Sequence, residues 1–377
     1  MLRWILIALA LLGDARMFLF VLNHFVFGSH REETSPWKWL LYATPPVLLF
    51  LTVSRFTTWW LFLAAGIGIY WLLDRVHALR LGRPLIAGTK TLPSEVIKLR
   101  KAHIPFAFLR NLGAHNDVYD LEVTRHEVEI ANLPPAFDGY RIAFLTDTHI
   151  ASFMRRGFYR EVVAQVARFD PDLILLGGDF VTWERHIPLM AELLLTDLSA
   201  RDGVYAVLGN HDYWANADGV VAAMTARGVR FLINRSIPIQ RGDDFIALAG
   251  IDEIYRGEPD LDTTFARADP QVPCIAISHH PDIVDILQDR KIDLLLCGHT
   301  HGGQIRFPFF GSVVVPSRHE ARYASGFHRA ENVLLYVSRG LGAIPPLRIL
   351  CKPEVATFVL RRSSPHAHET VGSLAGD

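Results

Sequence analysis

Residues 293–301 read DLLLCGHTH: an acidic residue, four apolar ones, and then His299 and His301 at alternate positions. A short apolar run between polar residues is the pattern of a strand buried on both faces. Alternate residues of an extended segment project to one side, so the two imidazoles leave the strand end together. The arrangement recurs four times upstream. FLTDTH (144–149) delivers Asp147 and His149, LILLGGD (173–179) delivers Asp179, VYAVLGNHD (204–212) delivers Asn210, and CIAISHH (274–280) delivers His279. Groups brought together at the carboxyl ends of parallel strands form crevice sites in α/β folds. Asp, His and Asn in this mixture suit Mn, Fe, Zn or Co. Seven ligands exceed what one tetrahedral zinc needs, so two adjacent ions are the economical reading.

Each motif alone says little. Asp-x-His arises by chance, and GGD and GNHD are ordinary turn sequences. The ordered combination, each member behind an apolar run, carries the inference. Between these runs lie helical patterns at 159–169, 187–200, 218–229 and 283–290, and strand patterns at 123–130, 231–234 and 243–251. Strands alternating with helices predict an α/β class with sheets covered by helices. NVLLYVS (332–338) and EVATFVLRR (354–362) are expected to complete a second sheet.

The chain has 377 residues and a formal net charge of −1, so no global basic field points to nucleic acid. Cys274, Cys297 and Cys351 are too few and too scattered for a disulfide framework or a cysteine-rich zinc site. Mean hydropathy is +0.20, and the apolar excess lies before about residue 75. Apolar stretches at 4–27, 37–53 and 57–73 each approach the ~20 residues a membrane helix needs, with tryptophans near their ends. Three transmembrane helices are expected. Asp14 and Arg16 would then need each other, another helix, or the interface. Basic residues from Arg75 to Lys101 place the following domain on the cytoplasmic face of a multi-pass inner-membrane protein. The expected map is a transmembrane region (1–75), a connector (76–120), a catalytic α/β domain (121–362) and a disordered tail (363–377).

DTH, GGD, GNHD, the single His279 and GHTH, in this order and spacing, resemble the calcineurin-like metallophosphoesterases over roughly 120–362. The block GHTHGGQIRFPFFGSVVVPSRHEARYASGFH (298–328), with LLYVSRGLG (334–342), PPLR (345–348) and KPEV (352–355), resembles the bacterial membrane-linked YkuE-like branch. The resemblance implies a four-layer α/β/β/α sandwich preceded by the transmembrane helices. It implies a first metal on Asp147, His149, Asp179 and His301, and a second on Asp179, Asn210, His279 and His299, with Mn the first choice and Fe, Zn or Co as alternatives. It also implies that His211 reaches the phosphoryl oxygens or the leaving group, with Asp212 to orient it. His280 is expected to support the site, to face substrate, or to lie on the surface.

Two divalent ions carry about four positive charges against two carboxylates, which leaves charge to favour hydroxide and an anionic phosphate. The expected activity is hydrolysis of phosphodiester or pyrophosphate bonds by metal-bound hydroxide, on a substrate that the membrane anchor suggests is lipid-linked. The alternatives are a phosphomonoesterase or protein phosphatase on the same centre, or a non-catalytic membrane sensor or scaffold. Substrate-side candidates are Trp183, Tyr213 and Trp214, the Phe307–Phe310 segment as core or as lipid contact, and Arg155, Arg156, Arg306 and Arg318 as phosphate contacts.

Overall fold

The apolar runs quoted above become the inner strands of two sheets. The first contains, in spatial order, β1 (Thr89–Lys98), β2 (Asp120–Ile130), β15 (Glu354–Arg362), β3 (Arg141–Leu145), β4 (Leu173–Leu176), β5 (Val204–Ala206) and β6 (Arg230–Phe231). The second contains β13 (Gly326–Ala330), β14 (Val333–Val337), β10 (Leu294–Cys297), β9 (Cys274–Ile277), β8 (Asp244–Gly250) and β7 (Arg235–Arg241). Strands β3 to β6 pair in parallel, as do β8, β9, β10 and β14. The computed structural model describes residues 2–21, 47–48, 58–81, 86–100, 115–151, 154–308, 310–312 and 314–363. They divide into two units, 1–85 with 305–324, and 86–304 with 325–377.

In the larger unit, side-chain alternation sorts each strand between two cores. Ile142 and Phe144 of β3 join Leu173, Leu175, Ile275, Ile277, Leu294 and Leu296 between the sheets. Ala143, Leu145, Ile174 and Leu176 face the other way, onto Val162, Val166, Met190, Leu194, Val220 and Met224. These last residues lie on helices Arg156–Phe169, Ile187–Leu195 and Ala217–Thr225. The predicted helical pattern at 283–290 instead forms a short 3-10 helix, Pro281–Ile286, and only the four-residue helix Leu261–Thr264 follows β8. The mixed α/β architecture is present, and among the described residues no longer helix follows these strands of the second sheet. EVATFVLRR was expected in the second sheet but lies in the first, parallel to β2 and antiparallel to β3. Residues 89–98, expected to connect, are an edge strand on β2. FLIN (231–234) contributes a single residue, Phe231, to the two-residue strand β6.

In the smaller unit, α1 (Leu2–Val21) and α2 (Thr58–Leu81) pack through Ala10, Ala64 and Ala65. Gly13 lies against the Ala64 carbonyl and Gly68 against the Leu9 carbonyl, with no room for a side chain at either. Two-residue strands β11 (Arg306–Phe307) and β12 (Gly311–Ser312) form a hairpin. Phe310 packs on Trp71 at 5.3 Å, and Phe307 is exposed. Among the described residues no helix is long and apolar enough to cross a membrane, so the expected transmembrane helices of a multi-pass protein are not supported. The physical reason is visible in both helices. Arg3, Asp14 and Arg16 interrupt α1, and Asp74, Arg75 and Arg80 fall within α2. Arg16 does not depend on Asp14 for its partner: its guanidinium makes a double hydrogen bond to Glu320. The second expected segment, except residues 47–48, and the tail from 364 onward lie outside the described residues.

A buried polar cluster ties β15 to the loop beside the site. Glu354 accepts hydrogen bonds from Tyr336 Oη (2.5 Å), Thr124 Oγ1 (2.7 Å) and the Arg339 amide (2.9 Å). Arg339 Nε lies 3.3 Å from the same carboxylate. Burial alone would raise the Glu354 carboxyl, but Arg339 and these hydrogen bonds hold it down at about 2, against an ordinary value of 4.5. A depressed carboxyl stabilises the fold above its unfolded pKa, and the contribution is lost as pH falls through the folded one. Glu354→Gln should therefore cost roughly 3 kcal/mol at neutral pH. It should also flatten the loss of stability between about pH 4.5 and 2, as read from urea unfolding at a series of pH values.

Candidate metal centre

The sequence-predicted residues converge at the carboxyl ends of β3, β4, β5, β9 and β10. His149 Nε2 is 3.1 Å from His301 Nε2, and His301 Nε2 is 3.5 Å from Asp147 Oδ1. His299 Nδ1 is 3.0 Å from Asn210 Oδ1 and 3.2 Å from His279 Nε2. Asp179 Oδ2 lies between these two groups, 3.5 Å from His149 Nε2 and 3.3 Å from His279 Nε2. All seven side chains are thus brought together, in two clusters that share one carboxylate.

The backbone is bent to achieve this. Asp147, His149, Asp179, His299 and His301 all adopt left-handed φ values, between 43° and 67°. Such conformations cost non-glycine residues roughly 1–3 kcal/mol each and collect at functional sites. Two glycines make the turns possible. At Gly178 (φ 90°) an added Cβ would fall 2.5 Å from the Gly209 amide nitrogen. At Gly340 (φ 64°) it would fall 2.6 Å from Asp147 Cβ.

The donor chemistry fits cations. His279 Nδ1 is 2.7 Å from the Gly177 carbonyl, which can only accept, so in the neutral ring Nε2 presents its lone pair to Asp179 and His299. Lone pairs and carboxylate oxygens at these separations repel unless positive charge lies among them. Burial pushes His279 down, but Asp179, Asp147 and Glu253 hold it up at about 10. Burial lowers His149 to about 3 and raises Asp147 to about 6. Imidazoles, carboxylates and an amide in two adjacent sets suit divalent ions of the borderline class, each set having more than two donors.

Asp212 has a different surrounding from the one expected. Its carboxylate accepts from the amides of Asp179 (2.8 Å), Phe180 (2.8 Å) and Gly209 (2.9 Å). These contacts tie the Asp179 loop to the Asn210 turn; they do not address the His211 ring. His211 donates its own amide to Asp179 Oδ1 (2.8 Å), and its ring meets those of His149 (4.7 Å) and Trp214 (4.5 Å). His280 is fully buried, its ring 3.8 Å from that of His299 and tilted by 35°, which excludes a surface role. Tyr213 anchors the short helix Asn210–Ala215, its hydroxyl donating to Asp252 (2.6 Å), whereas Trp183 and Trp214 remain exposed. Arg156 pairs with Glu192 at 2.6 Å, and Arg306 and Arg318 belong to the smaller unit.

Two residues near the site escaped the sequence reading. Arg348 is completely buried. Its guanidinium donates to the carbonyls of Arg339, Gly340, Gly342, His301 and Cys351, and Nη2 lies 3.3 Å from His301 Nδ1. It staples the loop after β14 to the GHTH loop. Only its place in the PPLR segment marked it, and no spacing rule singles out one arginine. Glu253 is buried beyond the end of β8, where the Ile251 amide bonds the Ile277 carbonyl two residues before His279. Burial raises its carboxyl to about 7. Nothing in IDEIYRG distinguishes it from a surface acid.

Gly340→Ala should lower metal affinity by about 10- to 100-fold, the usual cost of disturbing the support of a ligand. The metal content of purified protein, at matched expression and unchanged circular dichroism, reads this directly.

The profile of the calcineurin-like phosphoesterases matches residues 140–303. The chain is 32% identical over 266 residues to the metallophosphoesterase YkuE of Bacillus subtilis, covering 69% of this chain and 91% of that protein. It is 29% identical over 225 residues to the phosphodiesterase YaeI of Escherichia coli, covering 59% and 82%. It is 27% identical over 280 residues to the UDP-2,3-diacylglucosamine pyrophosphatase LpxG of Chlamydia trachomatis, covering 59% and 85%. Two ligand clusters at the strand ends, and relatives matched along most of their length, mean that the chain belongs to the calcineurin-like metallophosphoesterase family.

Proposed function

We propose that the chain hydrolyses phosphodiester or pyrophosphate bonds with two divalent cations, manganese the first candidate. Asp147, His149, Asp179 and His301 would hold one ion, and Asp179, Asn210, His279 and His299 the other. The observation that carries this reading is the Asp179 carboxylate, within 3.5 Å of imidazole nitrogens from both clusters. Bound there, the cations supply a nucleophile from water near neutral pH and positive charge for the phosphate oxygens. The chain's own residues do the rest. Asp212 fixes the loop that carries Asp179. Arg348 fixes the loop that carries His301. His211, held by its amide on Asp179, offers a ring N–H to a phosphoryl oxygen or to the departing group. Burial of the ligands keeps bulk water from screening these charges.

The names of two relatives support the reaction class: YaeI is named a phosphodiesterase and LpxG a pyrophosphatase of a diacylated sugar nucleotide. A lipid-linked substrate follows as the finer part of the proposal. The helix pair supports a membrane-associated setting, because Trp4, Phe62, Leu63, Tyr70 and Leu73 are exposed on it. The basic residues after α2 would favour the cytoplasmic face.

Full-length protein stripped with chelator should lose turnover of bis-p-nitrophenyl phosphate and regain it with Mn2+, and should prefer this diester to p-nitrophenyl phosphate. Preference for the monoester would reject the diesterase reading. Asp179→Asn should abolish turnover together with bound metal. His211→Ala should keep both metals and lose about 10²- to 10⁴-fold in kcat; an emptied site in this variant would show that His211 is a ligand.

A further inference from the structure

Beside His211 the larger unit holds a cavity of about 520 Å³, lined by Thr182, Trp183, Glu184, Arg185, His211, Trp214 and Ala215. Its volume is in the range of small-ligand sites. Its wall is unusual for a site otherwise built from buried residues. Trp183 and Trp214 remain 41% and 49% exposed. Each indole also has a guanidinium nearby, Arg185 at 4.9 Å from Trp183 and Arg256 at 5.2 Å from Trp214. The two tryptophans come from different segments, Trp183 from the loop that follows Asp179 and Trp214 from the short helix Asn210–Ala215. Both segments are anchored: Glu184 accepts from Asn216 Nδ2 (2.7 Å), and Asp212 accepts from the amides of Asp179 and Gly209.

Two indoles at one cavity, whose lining also holds Arg185, His211, Thr182 and Glu184, match a planar heteroaromatic ring carrying a phosphate. Indole rings stack on any base, and arginine adds charge for the phosphate. An acyl chain would need a continuous aliphatic wall, and Ala215 is the one aliphatic residue in this lining. Because His211 lines the cavity and also lies against Asp179, a group seated in the cavity sits beside the position where the cluster would hold a phosphate. We propose that this cavity is a subsite for the nucleoside of a nucleotide ester or nucleoside diphosphate ester, with Trp183 and Trp214 as its stacking surfaces. The proposal rests on the phosphoesterase reading above and deepens it by naming the substrate class.

The test is product-type inhibition of bis-p-nitrophenyl phosphate hydrolysis by full-length, Mn2+-loaded protein. UMP, ribose 5-phosphate and dodecyl phosphate serve as competitors with a base, without one, and with an alkyl chain instead. UMP should inhibit at a concentration about tenfold lower than ribose 5-phosphate, the gain expected of one stacked base. That ratio should fall towards unity in Trp214→Ala and in Trp183→Ala. Equal inhibition by UMP and ribose 5-phosphate, an unchanged ratio in both variants, or stronger inhibition by dodecyl phosphate would each overturn the subsite. Failure to hydrolyse the diester at all would strike the reaction and leave the subsite to be decided by calorimetric titration with UMP, where a heat of binding abolished by Trp214→Ala supports it and no binding overturns it.

Discussion

The structure turns on one electrostatic constraint: the Asp179 carboxylate is pressed between imidazoles from two strands, with a second carboxylate, Asp147, close by. Without positive charge among them these groups repel; burial pushes the His279 imidazole down, but Asp179 and Asp147 hold it up at about 10. The surrounding fold is arranged to hold this crowd in place. Left-handed backbone at five of its members costs together an amount comparable with the whole net stability of a domain, about 5–15 kcal/mol. The sheets repay that cost through two apolar cores, so the strain is confined to the strand ends and the strands themselves are regular.

Support comes from groups that touch no substrate. Asp212 bonds the backbone amides of Asp179 and Gly209, so two side chains of the candidate centre, from different strand ends, share one anchor. Arg348 does the same for the loops after β10 and β14, a buried cation surrounded by carbonyl oxygens. Glu354 holds the base of the second of these loops through Arg339. The grouping of these side chains is therefore a property of the loop network as much as of the seven residues themselves.

Much of the site was legible because its signal is local. An apolar run followed by a ligand declares both the strand and its functional end, and all seven ligands read this way converge. What stayed hidden depends on contacts distant in sequence. EVATFVLRR reads as a strand, but nothing in it says that it pairs with β2, over 220 residues earlier, and enters the first sheet. Sequence adjacency points Asp212 at His211, while the chain geometry gives its carboxylate the amides of residues 179–181. The apolar amino-terminal third reads as membrane-spanning by composition. In the structure its charges at Asp14, Arg16 and Asp74 fall inside helices, and the Arg16 charge is answered from Glu320, far along the chain.

The most direct measurement is anomalous diffraction from crystals of the full-length protein loaded with Mn2+. The account predicts two anomalous peaks about 3.5–4 Å apart, one on each side of the Asp179 carboxylate. A single peak bound by one cluster alone, or none with the seven side chains ordered, would contradict it.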